Sequence, residues 1–181
     1  TQRCAALGDT PLKTPQQRME FVVDLARRNV AAHTGGPFGA AIFHGDRHNL
    51  LAAGVNLVTT LNCSCAHAEI VAITMAQLRL GSYDLGGPGM PPCELVTSTE
   101  PCAMCLGAVS WSGVRALVCG ARGEDACAIG MDEGAKPAAW VDELERRGIR
   151  VTRDVCRPDA VRVLQDYRAS GGTIYNARQG N

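Results

Sequence analysis

The sequence has few aromatic residues, no net charge and no long apolar run. Phe, Trp and Tyr make up 4 % of the 181 residues, so the core is expected to be mainly aliphatic. Lys and Arg total 18, and so do Asp and Glu, so the chain lacks the excess positive charge that nucleic-acid binding usually requires. No apolar run approaches the ~20 residues of a membrane span. We therefore expect neither nucleic acid nor membrane among its partners.

Cysteine, by contrast, is abundant. The chain has nine cysteines, and an odd number does not suit a fully paired disulfide framework. No secretory signal is evident before them. We therefore expect a cytoplasmic protein whose thiols stay reduced, some of them as metal ligands.

The length suits one compact domain. We expect residues 1–14 to form a mobile N-terminal segment and residues 15–181 to form the domain with its C-terminal tail. Apolar periodicity and turn residues predict helices and strands in the order α β β α β α β α β α. The predicted strands span 38–43, 50–58, 93–99, 114–121 and 149–154; the predicted helices span 15–32, 67–80, 101–111, 140–148 and 158–172; residues 122–139 are predicted to be a loop. This order predicts a three-layer α/β/α domain with a mixed sheet of about five strands.

Two short motifs contain residue types that bind metals and move protons. In NCSCAHAE (62–69), His67 stands at the predicted start of a helix. In EPCAMC (100–105), Cys102 and Cys105 share the first turn of another helix, where unpaired N–H groups and the helix dipole favour thiolates. One histidine and two cysteines supply three zinc ligands, and a catalytic zinc site keeps its fourth position for water.

Glu69 follows His67 by two residues, and at a helix start both side chains can face a metal held there. A carboxylate beside metal-activated water can transfer protons. HAE together with PCAMC matches the H-x-E and P-C-x-x-C signature of zinc nucleobase deaminases. The alternative, a closed structural zinc site, would need a fourth protein ligand and would leave Glu69 without a role.

At these residues the chain resembles the cytidine and deoxycytidylate deaminase superfamily, and within it most closely the bacterial guanine deaminases. The resemblance is carried by GGPFGAAIF, AAGVNLVTT, AHAEIVAI, ELVTSTEPCAMCLGAVSWSGV and AIGMDEG. It implies the cytidine-deaminase-like fold, a homodimer and a small-molecule nucleobase as substrate. It also implies one Zn²⁺ per chain, held by His67, Cys102 and Cys105 with water or hydroxide as the fourth ligand, and Glu69 as the catalytic acid and base.

The resemblance further implies which residues bind the substrate. Asn56 would read the edge of the base, because its amide offers both a donor and an acceptor. The backbone around Ala66 would help to hold the ring, and Phe38 and Trp111 would form apolar walls. From the sequence alone, Asn56 could equally cap a strand end, and the two aromatic residues could belong to the core.

The long loop and the tail contribute the remaining candidates. By resemblance, Glu133 would be a second proton carrier near the leaving amine, with the neighbouring Asp132 as the fallback. Tyr175 in the tail would close a pocket, as the C-terminus of some relatives does for the partner subunit. A solvated acid and a frayed terminus are the alternatives. Cys63 and Cys65 are left over, and we interpret them as free thiols lining the approach to the site.

The function implied by the resemblance is hydrolytic deamination of guanine to xanthine and ammonia, a reaction of purine catabolism. Deamination of a related aminated ring stays open: an amino-triazine such as ammeline, another purine, a pterin or a nucleoside. Two further alternatives are a tRNA adenosine deaminase and a non-catalytic zinc module. The balanced charge argues against the first, and the intact Glu69 argues against the second.

Overall fold

The computed structural model describes residues 10–176, and five strands in this part of the chain form one mixed sheet with the order β2-β1-β3-β4-β5. The strands are β1 (Gly39–His44), β2 (Leu50–Val55), β3 (Cys93–Thr99), β4 (Ala116–Ala121) and β5 (Arg150–Thr152). β1 pairs antiparallel with β2 and β3, whereas β3, β4 and β5 run parallel. Most of the N-terminal segment predicted to be mobile, and residues 177–181 of the tail, lie outside the described residues.

Helices cover both faces of the sheet. They are α1 (Pro15–Ala31), α2 (Val58–Leu61), α3 (Ala68–Leu80), α4 (Ala103–Ser112), α5 (Gly123–Ala128), α6 (Trp140–Arg146) and α7 (Arg157–Ala169). Successive residues of a strand point to opposite faces of the sheet. On one face, Ile42 and Leu95 pack with residues of α3, α4 and α6. On the other face, Phe43 and Val96 pack with residues of α1 and α7. The predicted three-layer α/β/α architecture with a mixed five-stranded sheet is confirmed.

Local sequence explains where the principal helices begin and end. The hydroxyl of Thr14 accepts the N–H of Gln17, and the side chain of Gln17 accepts the N–H of Thr14, which makes a capping box at the start of α1. Gly81 ends α3 and Gly113 ends α4, both with positive φ, which a glycine adopts without strain. The N-terminal ends of α3 and α4 lie close together, because His67 and Cys102 immediately precede them and are in contact.

Two stretches differ from the sequence prediction. The strand predicted over 50–58 ends at Val55, because the Asn56 side chain accepts the N–H of Val58 and turns the chain into α2. The loop predicted over 122–139 contains α5, whose start is capped by the Asp125 carboxylate accepting the N–H of Arg122. Within residues 10–176, no helix is both long and apolar enough to span a bilayer.

Candidate active site

The three predicted zinc ligands meet where α3 and α4 begin. His67 immediately precedes α3, Cys102 immediately precedes α4, and Cys105 lies in the first turn of α4. Nδ1 of His67 lies 3.5 Å from Sγ of Cys102 and 3.6 Å from Sγ of Cys105. Zn–S bonds of ~2.3 Å and a Zn–N bond of ~2.0–2.1 Å at tetrahedral angles separate sulfur from nitrogen by about 3.6 Å. The donor atoms therefore have the spacing of a tetrahedral zinc site.

The two thiols of the cluster differ in acidity, since the hydrogen bond with Cys102 and burial raise the pKa of Cys105. A hydrogen bond from Cys105, followed by the interaction with His67, lowers the pKa of the Cys102 thiol to about 4. A thiolate, not a thiol, is the form that ligates zinc. Cys102 is thus ready to bind metal at neutral pH without a further base.

Two acids, one buried and one mostly enclosed, face the cluster from different elements. Glu69, in the first turn of α3, is only 6 % exposed, and burial, reinforced by the negative charge of Cys102, raises its pKa to about 7. Glu133 lies in the segment between α5 and α6, and burial raises its pKa to about 8, against the opposing effect of Lys136. Its backbone carbonyl accepts the N–H of Ala103, which fixes this segment to the start of α4. Both acids can therefore exchange protons near neutral pH.

A cavity opens onto the cluster and both acids. Its lining comprises Phe38, Asn56, His67, Glu69, Thr99, Glu100, Cys102, Met131, Asp132, Glu133 and Tyr175. The structure thus brings together nine of the predicted site residues. Eight of them line the cavity and Cys105 completes the metal cluster; the eight are Phe38, Asn56, His67, Glu69, Cys102, Asp132, Glu133 and Tyr175.

Asn56 and Tyr175 are in direct contact in this cavity. The Asn56 side chain is fully buried, its Oδ1 accepts the N–H groups of Gly36 and Val58, and its Nδ2 donates to the Tyr175 hydroxyl. The Tyr175 ring lies edge-on to His67 with the ring centroids 6.2 Å apart. Tyr175 therefore reaches the cavity of its own chain, and Asn56 is both a fixed structural group and a polar member of the cavity lining.

Comparison with known proteins places this geometry in a family. Residues 12–121 match the model of the cytidine and deoxycytidylate deaminase zinc-binding region. The chain belongs to the cytidine and deoxycytidylate deaminase family. Guanine deaminase of Bacillus subtilis is 44 % identical over 115 residues, which are 64 % of this chain and 69 % of that protein.

Solved structures are similar to this deaminase over most of its length. The guanine deaminase of Nitrosomonas europaea is 52 % identical with a TM-score of 0.87, over 89 % of this chain and 88 % of that one. A crystal structure of NE0047 in complex with 2,6-diaminopurine is 52 % identical with a TM-score of 0.90, over 95 % and 90 % of the two chains. The five-stranded fold and the His/Cys/Cys cluster are thus those of a zinc-binding deaminase.

Trp111 and Ala66 are not in the lining of this cavity, and their roles in substrate binding stay predictions. Trp111 is 87 % exposed, because α4 turns Cys105 and Val109 inward and position 111 falls on the opposite side. Ala66 has its N–H bonded to the carbonyl of Cys63 and its carbonyl bonded to the N–H of Leu57. Its backbone supports the loop before His67 and does not line the cavity.

Cys63 and Cys65 lie in that same loop, and neither lines the cavity. Their sulfur atoms are 3.4 Å apart, and the N–H of His67 donates to the carbonyl of Cys65. The loop thus acts on the site through its backbone, and the interpretation of the two thiols as lining the approach stays a prediction.

Sequence reasoning missed Thr99, Glu100 and Met131 in the lining. Thr99 and Glu100 stand at and just after the carboxyl end of β3, a buried strand of the parallel half of the sheet. Ligands of α/β proteins bind beyond such strand ends, and this rule would have found both residues. Glu100 is held on two sides, since its Oε1 accepts from Arg153 and its Oε2 accepts the N–H of Gly123.

Proposed function

We propose that this chain is a zinc-dependent aminohydrolase that converts guanine to xanthine and ammonia. The observation that carries the proposal is a buried carboxylate, Glu69, beside a His/Cys/Cys donor set in one cavity with the amide of Asn56. The similar proteins named guanine deaminase, and the relative that binds 2,6-diaminopurine, support a purine carrying an exocyclic amine as the substrate.

The metal in the proposal is one zinc ion per chain, with water or hydroxide as its fourth ligand. Within residues 10–176, the candidate metal-binding cluster consists of His67, Cys102 and Cys105, which leaves one tetrahedral position for solvent. When bound, zinc lowers the pKa of such a water and so supplies the nucleophile of the hydrolysis.

Residues of the chain transfer the protons of the reaction and bind the base. Glu69 accepts the proton of the nucleophile and passes it toward the ring, which its pKa of about 7 suits. Glu133, with a pKa of about 8, delivers a proton to the amine as it leaves as ammonia. Asn56 orients the base through the second hydrogen of its Nδ2, since the first goes to Tyr175 and Oδ1 accepts two backbone N–H groups. Phe38 supplies an apolar wall, and Asp132 and Tyr175 border the base.

The proposal extends to the setting of the enzyme. We propose a homodimer, because the large apolar side chain of Trp111 is exposed on α4. We also propose that the substrate is a free base and not a nucleic acid, because the positive and negative charges of the chain are balanced. A reducing cytoplasm would keep Cys102 and Cys105 available as ligands.

Ammonia release from a panel of substrates tests the function. The zinc-loaded protein would be given guanine, adenine, cytosine, amino-triazines, pterins, nucleosides and a tRNA with adenosine at the wobble position. We expect guanine to have the highest kcat/KM. A higher value for any other compound would overturn the substrate assignment. Zinc-loaded protein that releases ammonia from no compound would overturn the enzymatic proposal in favour of a zinc module.

A further inference from the structure

Lys136 is an enclosed lysine next to two acids of the cavity lining, Glu100 and Glu133. Its side chain is only 14 % exposed, and its ammonium group lies 5.2 Å from the centroid of the Trp140 ring. Nζ donates to the carbonyl of Pro101 at 3.3 Å and to Oε2 of Glu100 at 3.5 Å. The aromatic ring and the two acceptors together hold this flexible side chain in one place.

From that place the ammonium faces the Glu133 carboxylate. Nζ lies 3.9 Å from Oε2 of Glu133, close enough to attract its charge but too far for a hydrogen bond. Oε2 of Glu133 is buried and has no hydrogen-bond partner in the described part of the chain. Lys136 therefore offsets the cost of burying this carboxylate and leaves the oxygen free to take or give a proton.

The contacts of Lys136 also join two parts of the site. Pro101 immediately precedes Cys102, so the bond to its carbonyl ties Lys136 to the start of α4. The N–H of Ala103 donates to the carbonyl of Glu133, which makes a second tie between the same two segments. The backbone of Glu133 is fixed by Ala103, and its carboxylate is faced by Lys136.

We propose that Lys136 is a positioning residue of the deaminase, which acts by holding the Glu133 carboxylate at the cavity; this rests on the proposed function. Glu100 does not depend on Lys136 alone, since Arg153 and the N–H of Gly123 also bind it. The bonds to Glu100 and the backbone bond from Ala103 to Glu133 remain when the ammonium is removed, so we expect the fold and the metal ligands to be retained and the Glu133 carboxylate to be released.

Substitution of Lys136→Met tests the proposal, because methionine keeps much of the apolar length without the charge. A misplacement of about 1 Å in a reacting group can cost about 100-fold in rate, so we expect kcat with guanine to fall about 10- to 100-fold while KM stays within about threefold. Lys136→Arg should recover most of kcat. Lys13→Met removes the other lysine of the sequence, which is exposed, and should leave kcat unchanged.

Several results would overturn the proposal. The first is a kcat of Lys136→Met within about twofold of wild type, and the second is a failure of Lys136→Arg to recover activity. The third is a loss of zinc or of melting temperature in Lys136→Met that matches the loss of kcat, because such a loss would mark a structural role.

A crystal structure of zinc-loaded Lys136→Met is the second readout, and it is independent of the substrate. We expect the Glu133 carboxylate to move by about 1 Å or more from its wild-type position, and an unmoved carboxylate would refute the positioning role. If wild type releases no ammonia from guanine, the proposed function fails, and this structure still decides the role of Lys136.

Discussion

At the scale of single residues, the three glutamates that line the cavity differ in their partners. Glu100 accepts from Arg153, Lys136 and the N–H of Gly123, so its lone pairs are engaged. Glu69 and Glu133 are buried with less compensation, and burial raises the pKa of Glu69 to about 7 and of Glu133 to about 8. Different surroundings thus separate one fixed acid from two that can transfer protons.

Substitution of Asn56→Asp tests the recognition of the base. The new carboxylate could still accept the N–H groups of Gly36 and Val58, but it could not donate to the substrate. An unmade hydrogen bond in a buried site costs about 1–3 kcal/mol, so kcat/KM for guanine should fall by at least about 10-fold. Steady-state kinetics measure the fall, and thermal melting checks the fold. An unchanged kcat/KM would show that Asn56 has no part in recognition.

The ligands and Glu69 were predictable from sequence because each motif places its groups on the first turn of one helix. The placement of Trp111 away from the cavity was not predictable, because it depends on the rotation of a ten-residue helix, which packing sets. Lys136 was missed because the groups that hold its ammonium in place, Glu100 and the Pro101 carbonyl, are 36 and 35 residues away in the chain, and no local pattern joins them.

At the scale of elements, the site depends on helix starts that the sheet brings together. α3 follows β2 and α4 follows β3 in the chain, and both strands run antiparallel to β1, so their carboxyl ends lie at one edge of the sheet. The two helices pack on the same face, and their N-terminal ends converge at that edge. Each helix offers the positive end of its dipole to thiolates or carboxylates. The edge therefore suits both the metal ligands and Glu69.

The start of α5 is fixed to α7 by Asp125. Its carboxylate accepts the N–H of Arg122 and forms a two-point pair with the guanidinium of Arg157, and the hydrogen bond from Arg157 lowers its pKa. Because the pKa of Asp125 is lower in the folded protein, its carboxylate stabilises the fold at pH values above the ordinary aspartate pKa of ~3.9. This stabilisation is lost as the pH falls through the pKa of the folded state. Asp125→Asn should therefore reduce the free energy of unfolding at neutral pH by about 1–2 kcal/mol.

Urea unfolding of wild type and Asp125→Asn between about pH 7 and pH 3 measures this contribution. The difference between the two should shrink as the pH falls below about 4. Asp46→Asn, in an exposed turn, is the matched control and should match wild type. A difference that is constant across this range would assign the effect to something other than the charge of Asp125.

Element prediction from the sequence was accurate where apolar periodicity was long and was wrong where side chains decide the backbone. The predicted strand at 93–99 is confirmed as β3, and the helix at 67–80 as α3 within one residue. The end of β2 and the existence of α5 depend on single polar groups, Asn56 and Asp125, that bind nearby N–H groups. Periodicity carries no information about such bonds.

At the scale of the whole molecule, one chain completes the three layers but leaves apolar side chains of α4 in solvent. Trp111 and Met104 are both exposed on this helix. A homodimer that covers them predicts a mass by light scattering of about twice the 19.1 kDa of one chain. Trp111→Glu should shift the population toward the monomer. A wild-type protein of single-chain mass at micromolar concentration would contradict the dimer.

The central claim is that this chain hydrolyses guanine with Glu69 as the proton carrier at a zinc site. One measurement tests it most directly: xanthine and ammonia formed from guanine by wild type and by Glu69→Gln, with the zinc content of both proteins determined. We predict equal amounts of xanthine and ammonia from wild type, at least about 100-fold less from Glu69→Gln, and one zinc per chain in both. No xanthine from zinc-loaded wild type, or full activity in Glu69→Gln, would contradict the account.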